Sequence, residues 1–147
     1  MHFDLTRTAL AATALLAFMA VPAFAEQVKF SADLAGTAEV PPNDSAGTGK
    51  VDATLDTETK MFTWNITYDG LSGPATAAHF HGPAAPDANA GPVVPIPDDK
   101  LASPIAGEAT LDDAQIADLQ GGMWYFNVHT EKFPDGELRG QLMKAAM

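Results

Sequence analysis

The sequence predicts an all-β fold, an antiparallel Greek-key-like sandwich or barrel with one short helix and a long proline-rich loop. Three observations lead to this prediction. Apolar and polar residues alternate in several short segments, turn-forming residues separate those segments, and six prolines crowd a single stretch of the chain. Alternation is typical of strands with one buried face, and short strands with turns every 8–12 residues or so are typical of antiparallel sandwiches and barrels.

The chain begins with the three parts of a secretory signal peptide. Arg7 precedes an apolar run over residues 9–21, and Ala23-Phe24-Ala25 supplies the small residues of a cleavage site. The apolar run is too short for a comfortable membrane span, which needs about 18 residues or more. We therefore expect residues 1–25 to be removed. Residues 26–147 would then form one exported domain, periplasmic or secreted, without stable membrane insertion.

The composition narrows the classes of function. The 147 residues include 19 acidic and 8 basic side chains, which gives a formal net charge of −11 at pH 7. Bulk charge of this sign opposes binding to nucleic acid or to anionic lipid. The chain has no cysteine, so disulfides and thiolate ligands are excluded. A metal site would have to use His, Asp, Glu or Met.

Three segments with clear alternation are predicted to be half-buried strands: residues 28–34, 49–56 and 61–68. Turn residues separate them, and a further strand is expected over residues 75–81. The stretch 82–104 then carries the six prolines, which cannot donate to the hydrogen bonds of a central strand. We expect it to form a long ordered loop beside the preceding strand.

One short helix and a hairpin are predicted to complete the chain. Thr110 is the expected N-cap, the acidic pair Asp112-Asp113 suits the first turn, and Gly121-Gly122 ends the helix. The hairpin pairs a strand over residues 123–130 with one over residues 137–142, because an Asp-Gly turn lies between two strand-like runs.

Two of the predicted strands carry three histidines. His79 and His81 point to the same face of a strand, about 7 Å apart, and a neighbouring strand could bring His129 beside them. A lone strand histidine is usually structural, but three converging imidazoles favour a metal site. Imidazole suits copper and zinc alike. We place copper first, because a catalytic zinc site needs a general base and no motif singles one out.

The segments around these histidines resemble a known family. Residues 78–84 (Ala-His-Phe-His-Gly-Pro-Ala), 124–130 (Trp-Tyr-Phe-Asn-Val-His-Thr) and 133–141 (Phe-Pro-Asp-Gly-Glu-Leu-Arg-Gly-Gln) are similar to the chordin-type, or CHRD, domain. The opening Leu34 to Pro42 also fits, so the resemblance covers essentially the whole exported domain. It implies a β domain of exported proteins and leaves the chemistry open.

The histidine pattern is also similar to the copper site of copper-zinc superoxide dismutases. Those β-barrels use an H-x-H strand and a later histidine in a segment like Val128-His129-Thr130-Glu131-Lys132, followed by an arginine that guides the anionic substrate. Here Arg139 matches that arginine. The exported domain has three histidines and no disulfide, so the resemblance implies a copper-only site that acts on superoxide.

Three functions therefore remain open from the sequence. The first is a copper-dependent superoxide dismutase with His79, His81 and His129 as ligands and Arg139 attracting the substrate. The second is a periplasmic protein that binds or stores copper through the same ligands. The third is a non-enzymatic adhesion or interaction module in which the histidines are structural.

Overall fold

The computed structural model describes residues 24–146 and contains nine strands and one α-helix in that range. The strands are β1 (Gln27–Ala35), β2 (Thr48–Asp56), β3 (Met61–Asp69), β4 (Ala75–His81), β5 (Pro92–Pro95), β6 (Ile105–Thr110), β7 (Tyr125–Thr130), β8 (Leu138–Gln141) and β9 (Met143–Lys144). The helix α1 (Asp113–Gln120) precedes β7. No helix of residues 24–146 is long and apolar enough to cross a bilayer. All but the last two residues of the expected signal peptide lie outside the described residues.

The strands form one antiparallel sheet that curls into a nearly closed barrel. Its strand order is β5-β4-β7-β8-β1-β2-β3-β6, and the short β9 also pairs with β1. Curling brings the two edge strands, β5 and β6, to opposite walls of one groove of about 800 Å³. It also places Phe62 of β3 against Phe80 of β4, with ring centroids 5.2 Å apart. The predicted antiparallel β sandwich or barrel is confirmed.

Alternate side chains of the strands fill the interior. Each strand turns its apolar residues inward because successive side chains point to opposite faces, and this matches the alternation in the sequence. Aromatic rings stack edge to face at the centre, which adds to the stability gained from burial. The largest fully buried apolar side chains are Phe30, Leu55, Phe62, Ile66, Phe80, Ile105, Leu111, Leu119, Trp124, Phe126 and Leu138.

Some elements differ from the sequence prediction. Asp112, not Thr110, is the N-cap of α1, because its side chain accepts the amide of Gln115 while Gln115 reaches back to the Asp112 amide. Thr110 instead ends β6, a strand that the alternation did not reveal. The proline-rich stretch holds the short edge strand β5, whose prolines are tolerated at an edge.

Two segments cover the outer face of β4, β7 and β8. One is the stretch 36–43, in which the Asn43 amide donates to the carbonyls of Gly136 and Glu137. The other is the loop 82–91, which Gln141 holds by a bond to the Ala84 carbonyl and which Asn89 ties to the first segment. On the outside of this part of the barrel, Tyr125, Asn127 and Arg139 are therefore buried as deeply as core residues.

The Glu137 carboxylate links several segments by hydrogen bonds at one end of the barrel. The buried carboxylate accepts hydrogen bonds from the hydroxyls of Ser45, Ser72 and Thr130 at 2.6–2.7 Å and from the Ser72 amide at 2.8 Å. Burial alone would raise the pKa of this carboxyl, but the hydrogen bonds outweigh it and hold the pKa below its usual value of 4.5. The carboxylate thus joins two loops and the end of β7 to the start of β8.

Replacing Glu137 should destabilise the fold. Glu137→Ala leaves the hydroxyls of Ser45, Ser72 and the buried Thr130 without their acceptor, and we expect the free energy of unfolding to fall by about 3 kcal/mol. Because the folded-state pKa is lowered, this contribution is present above pH 4.5 and is lost as the pH falls below it.

Urea denaturation at pH 7 measures this effect. Glu108→Ala, a change at an exposed carboxylate on β6, serves as the matched control and should alter the unfolding free energy by less than about 0.5 kcal/mol. A loss for Glu137→Ala no larger than that of the control would contradict the role assigned to Glu137.

Candidate metal centre

The register between β4 and β7 brings the three histidines together. His79 lies opposite Asn127, and His129 lies one row away, opposite Ala77. His79 and His81 therefore share the outer face of β4 with His129 on β7, as predicted. The ring centroid of His79 lies 5.3 Å from that of His81 and 5.2 Å from that of His129. One nitrogen from each ring falls within 4.8 Å of the others, close enough for a single metal ion.

Backbone carbonyls fix the tautomers of two of these rings. Nδ1 of His81 lies 2.9 Å from the Ala90 carbonyl oxygen, and Nδ1 of His129 lies 2.9 Å from that of Pro134. A carbonyl can only accept, so Nδ1 carries the hydrogen in both rings. In the neutral form Nε2 of each ring is then a bare lone pair. The same arrangement orients histidine ligands in many metalloproteins.

The remaining nitrogens have no protein partner. His79 Nδ1, His81 Nε2 and His129 Nε2 are buried and make no hydrogen bond with any described residue. Buried polar atoms without a partner are costly and uncommon in native proteins. Three such acceptors on adjacent rings fit a transition metal, which would use all three lone pairs at once.

Burial keeps the two histidines of β4 neutral. Desolvation lowers the pKa of His79 below its usual 6.5, and the neighbouring His129 and His81 rings lower it further. Desolvation likewise lowers the pKa of His81, where the hydrogen bond to Ala90 and the nearby Asn127 side chain oppose the shift only in part. Neutral imidazole is the form that binds a metal, so the environment prepares these rings for coordination.

Arg139 lies on the same sheet face but under the loop 82–91. Only 1% of the side chain is exposed. Its guanidinium donates to Asn89 Oδ1 at 2.8 Å and to the Ala88 carbonyl at 2.6 Å, with longer contacts to the carbonyls of Ala85 and Pro86. Arg139 and Glu137 do not pair with each other. Arg139 bonds to the loop 82–91, whereas the Glu137 carboxylate bonds to Ser45, Ser72 and Thr130.

A stack of three side chains connects Arg139 to the histidines. The guanidinium lies 3.5 Å from the centre of the Tyr125 ring, and His81 stacks on that ring from the neighbouring strand, 4.7 Å away and within 3° of parallel. The Tyr125 hydroxyl also donates to the Ala90 carbonyl, the acceptor for His81. Loop, arginine and tyrosine together fix the orientation of His81.

Sequence reasoning missed two other residues beside the site, Asn127 and Glu39. Asn127 occupies β7 between Tyr125 and His129 and is buried. Glu39 comes from the covering segment, and burial raises its pKa to about 7 although the Arg139 charge and a hydrogen bond with Asn127 lower it. For Asn127, strand alternation predicts only an outward direction, and Glu39 lies between β1 and β2, where no strand pattern applies.

A family model for the CHRD domain matches residues 30–142. The chain belongs to the CHRD family. The match covers most of β1, all of β2 to β8 and all three histidines of the site. No curated protein and no solved structure matches the chain.

Within this CHRD domain, the two histidine strands are neighbours that the chain joins through β5, β6 and α1. The H-x-H-G segment ends β4 where the loop 82–91 begins, and Gly82 allows that exit because a side chain there would strike the Trp124 indole. The second segment, Asn127-Val128-His129-Thr130, turns Val128 into the core and His129 outward. The family motif residues thus supply both the core contacts and the imidazoles.

The lowered pKa values of His79 and His81 can be measured in the metal-free protein. We expect both rings to titrate below pH 6.5 in a proton NMR titration, because burial disfavours the charged ring. Folding then favours neutral rings, so their protonation reduces stability as the pH falls below 6.5. Single His→Ala variants assign the signals. Titration of both rings at or above pH 6.5 would contradict this description of the site.

Proposed function

We propose that this CHRD-domain protein binds one transition-metal ion, copper in the first place, through His79, His81 and His129. Two observations together carry the proposal: each of the three rings has a buried nitrogen without a partner, and one nitrogen from each ring lies within 4.8 Å of the others. Two of the rings already have their second nitrogen fixed by a carbonyl, so little reordering would be needed on binding.

The surroundings favour copper over a zinc hydrolase site. No Asp or Glu oxygen joins the histidine group within residues 24–146, and hydrolysis at zinc would need a base close to the bound water. One-electron chemistry at copper has no such requirement. Zinc, for which imidazole is also a suitable ligand, is the alternative metal.

We also propose that the protein is exported. The expected signal peptide over residues 1–25 supports this, as does the family, because CHRD domains are typically extracellular. An exported protein without cysteine cannot rely on thiolates to hold copper. The three imidazoles are consistent with that constraint.

Metal binding should depend on the three ring nitrogens. We expect the purified full-length chain to take up one copper ion, and His81→Ala and His129→Ala each to weaken binding by roughly 100-fold or more, because each removes a ligand. Affinity should also fall as the pH drops through the lowered pKa values of His79 and His81, where protons compete for the rings.

Metal analysis after copper or zinc loading provides the test. His2→Ala and Glu131→Ala are the controls, since the first removes the remaining histidine and the second an exposed carboxylate near β7. Both should keep one ion per chain. Equal metal content in the wild type and in the His79→Ala/His81→Ala double variant would refute the proposal.

We further propose that the copper-loaded protein catalyses the dismutation of superoxide. Bound copper would supply the one-electron chemistry: one superoxide is oxidised to dioxygen, and a second is reduced, with two protons, to hydrogen peroxide. The net charge of −11 repels an anionic substrate. Arg139 is buried, so we propose that it does not contact superoxide directly. Its role would be to contribute a positive charge near the metal and to support the orientation of His81 through the Tyr125 ring.

The copper-loaded protein should then dismute superoxide faster than copper held by a chelator, and a zinc-loaded sample should be inactive. Lys132→Glu, close to the turn that holds His129, should lower the rate roughly 2- to 5-fold at low salt. Lys144→Glu on β9 makes the same charge change on a strand that pairs with β1, and it should have a smaller effect. Stoichiometric copper without activity above the chelated control would leave copper binding or storage as the function.

A further inference from the structure

Asn127 occupies the middle of the histidine site. In the pairing of β4 with β7 it lies directly opposite His79, while His81 and His129 lie one row to either side on the two strands. The three imidazoles therefore surround the position toward which the Asn127 side chain points. Only 3% of Asn127 is exposed.

Glu39 fixes which end of the carboxamide faces the histidines. The Glu39 carboxyl lies beside the Asn127 side chain, and the amide nitrogen of Asn127 is the end that lies on the Glu39 side. Gly136, with φ of +132°, makes room for this contact, since a β-carbon there would strike both Glu39 Oε1 and the Asn127 nitrogen. The carboxamide oxygen is left to point the other way.

That oxygen has no hydrogen-bond donor. Asn127 Oδ1 is buried without a partner among the described residues, although the side chain lies within hydrogen-bonding reach of His81. The neutral His81 ring cannot supply the hydrogen, because Nδ1 donates to Ala90 and Nε2 is bare. Asn127 Oδ1 and His81 Nε2 are thus two buried acceptors without a donor in neighbouring side chains, which is unfavourable unless a cation binds them.

We propose that Asn127 supplies a fourth, oxygen donor to the three-histidine site, and that Glu39 is a positioning residue that holds the carboxamide in this orientation. The proposal rests on the proposed metal-binding function and specifies its donor set. A neutral oxygen donor adds no charge. It suits Cu(II) and Zn(II) better than Cu(I), which prefers softer ligands.

The test compares Cu(II) and Cu(I) in three full-length variants that are shown by circular dichroism to be folded. Asn127→Leu keeps the volume and removes the oxygen. We expect it to lower Cu(II) affinity roughly 10- to 100-fold, to leave Cu(I) affinity within about threefold, and to change the EPR spectrum of bound Cu(II). Glu39→Leu should also lower the Cu(II) affinity and change the EPR spectrum, because the Asn127 carboxamide can then rotate.

Glu39→Gln is the conservative rescue. Its side-chain oxygen can still accept from Asn127, so the Cu(II) affinity and the EPR spectrum should match the wild type. A Glu39→Gln variant as impaired as Glu39→Leu would overturn the positioning role. An unchanged spectrum and Cu(II) affinity in Asn127→Leu, or an equal loss for Cu(I) and Cu(II), would overturn the fourth donor.

A double variant keeps the proposal testable if Asn127→Leu does not fold. In Glu39→Gln/Asn127→Asp the polarity of the contact is reversed, since the amide introduced at position 39 donates to the carboxylate introduced at position 127, and an oxygen still faces the histidines. We expect Cu(II) affinity at least equal to that of the wild type, and weaker binding would count against the oxygen donor. Failure of the wild type to bind copper refutes the proposed function itself, which distinguishes the two failures.

Discussion

The antiparallel pairing of β4 with β7 is the constraint on which the rest of the site depends. Because side chains alternate along each strand, this one register sends Phe80, Phe126 and Val128 into the core and the three histidines outward. A shift by one residue on either strand would bury imidazoles among aromatic rings and expose the apolar residues. The packing energy of the core therefore also fixes the geometry of the metal centre.

The outer face of these strands owes its burial to the segments that cross it. Arg139 holds the loop 82–91 through its carbonyls, and that loop in turn presents the Ala90 oxygen to His81 and Tyr125. The segment 36–43 brings Glu39 against Asn127. Removing water from this face makes the unpartnered nitrogens costly, and it lowers the pKa values of His79 and His81. Burial by these two segments thus makes this outer sheet face suitable for binding a metal ion.

The sequence predicted more of the sheet than of its surroundings. The alternation over 61–68 and the spacing of His79 and His81 depend only on strand geometry, so the fold class and the convergence of the histidines could be predicted. The covering loops depend on long-range contacts, such as Arg139 with Ala88, that no local pattern records. For the same reason the burial of Arg139 and the approach of Glu39 could not be foreseen.

The central claim is that one metal ion lies among three particular ring nitrogens. A crystal structure of the copper-loaded protein, with anomalous data collected at the copper edge, tests it most directly. We expect one strong peak about 2 Å from His79 Nδ1, His81 Nε2 and His129 Nε2, with the bonds from His81 to Ala90 and from His129 to Pro134 intact. A copper peak at surface carboxylates only, or copper bound with these two carbonyl bonds broken, would contradict the account.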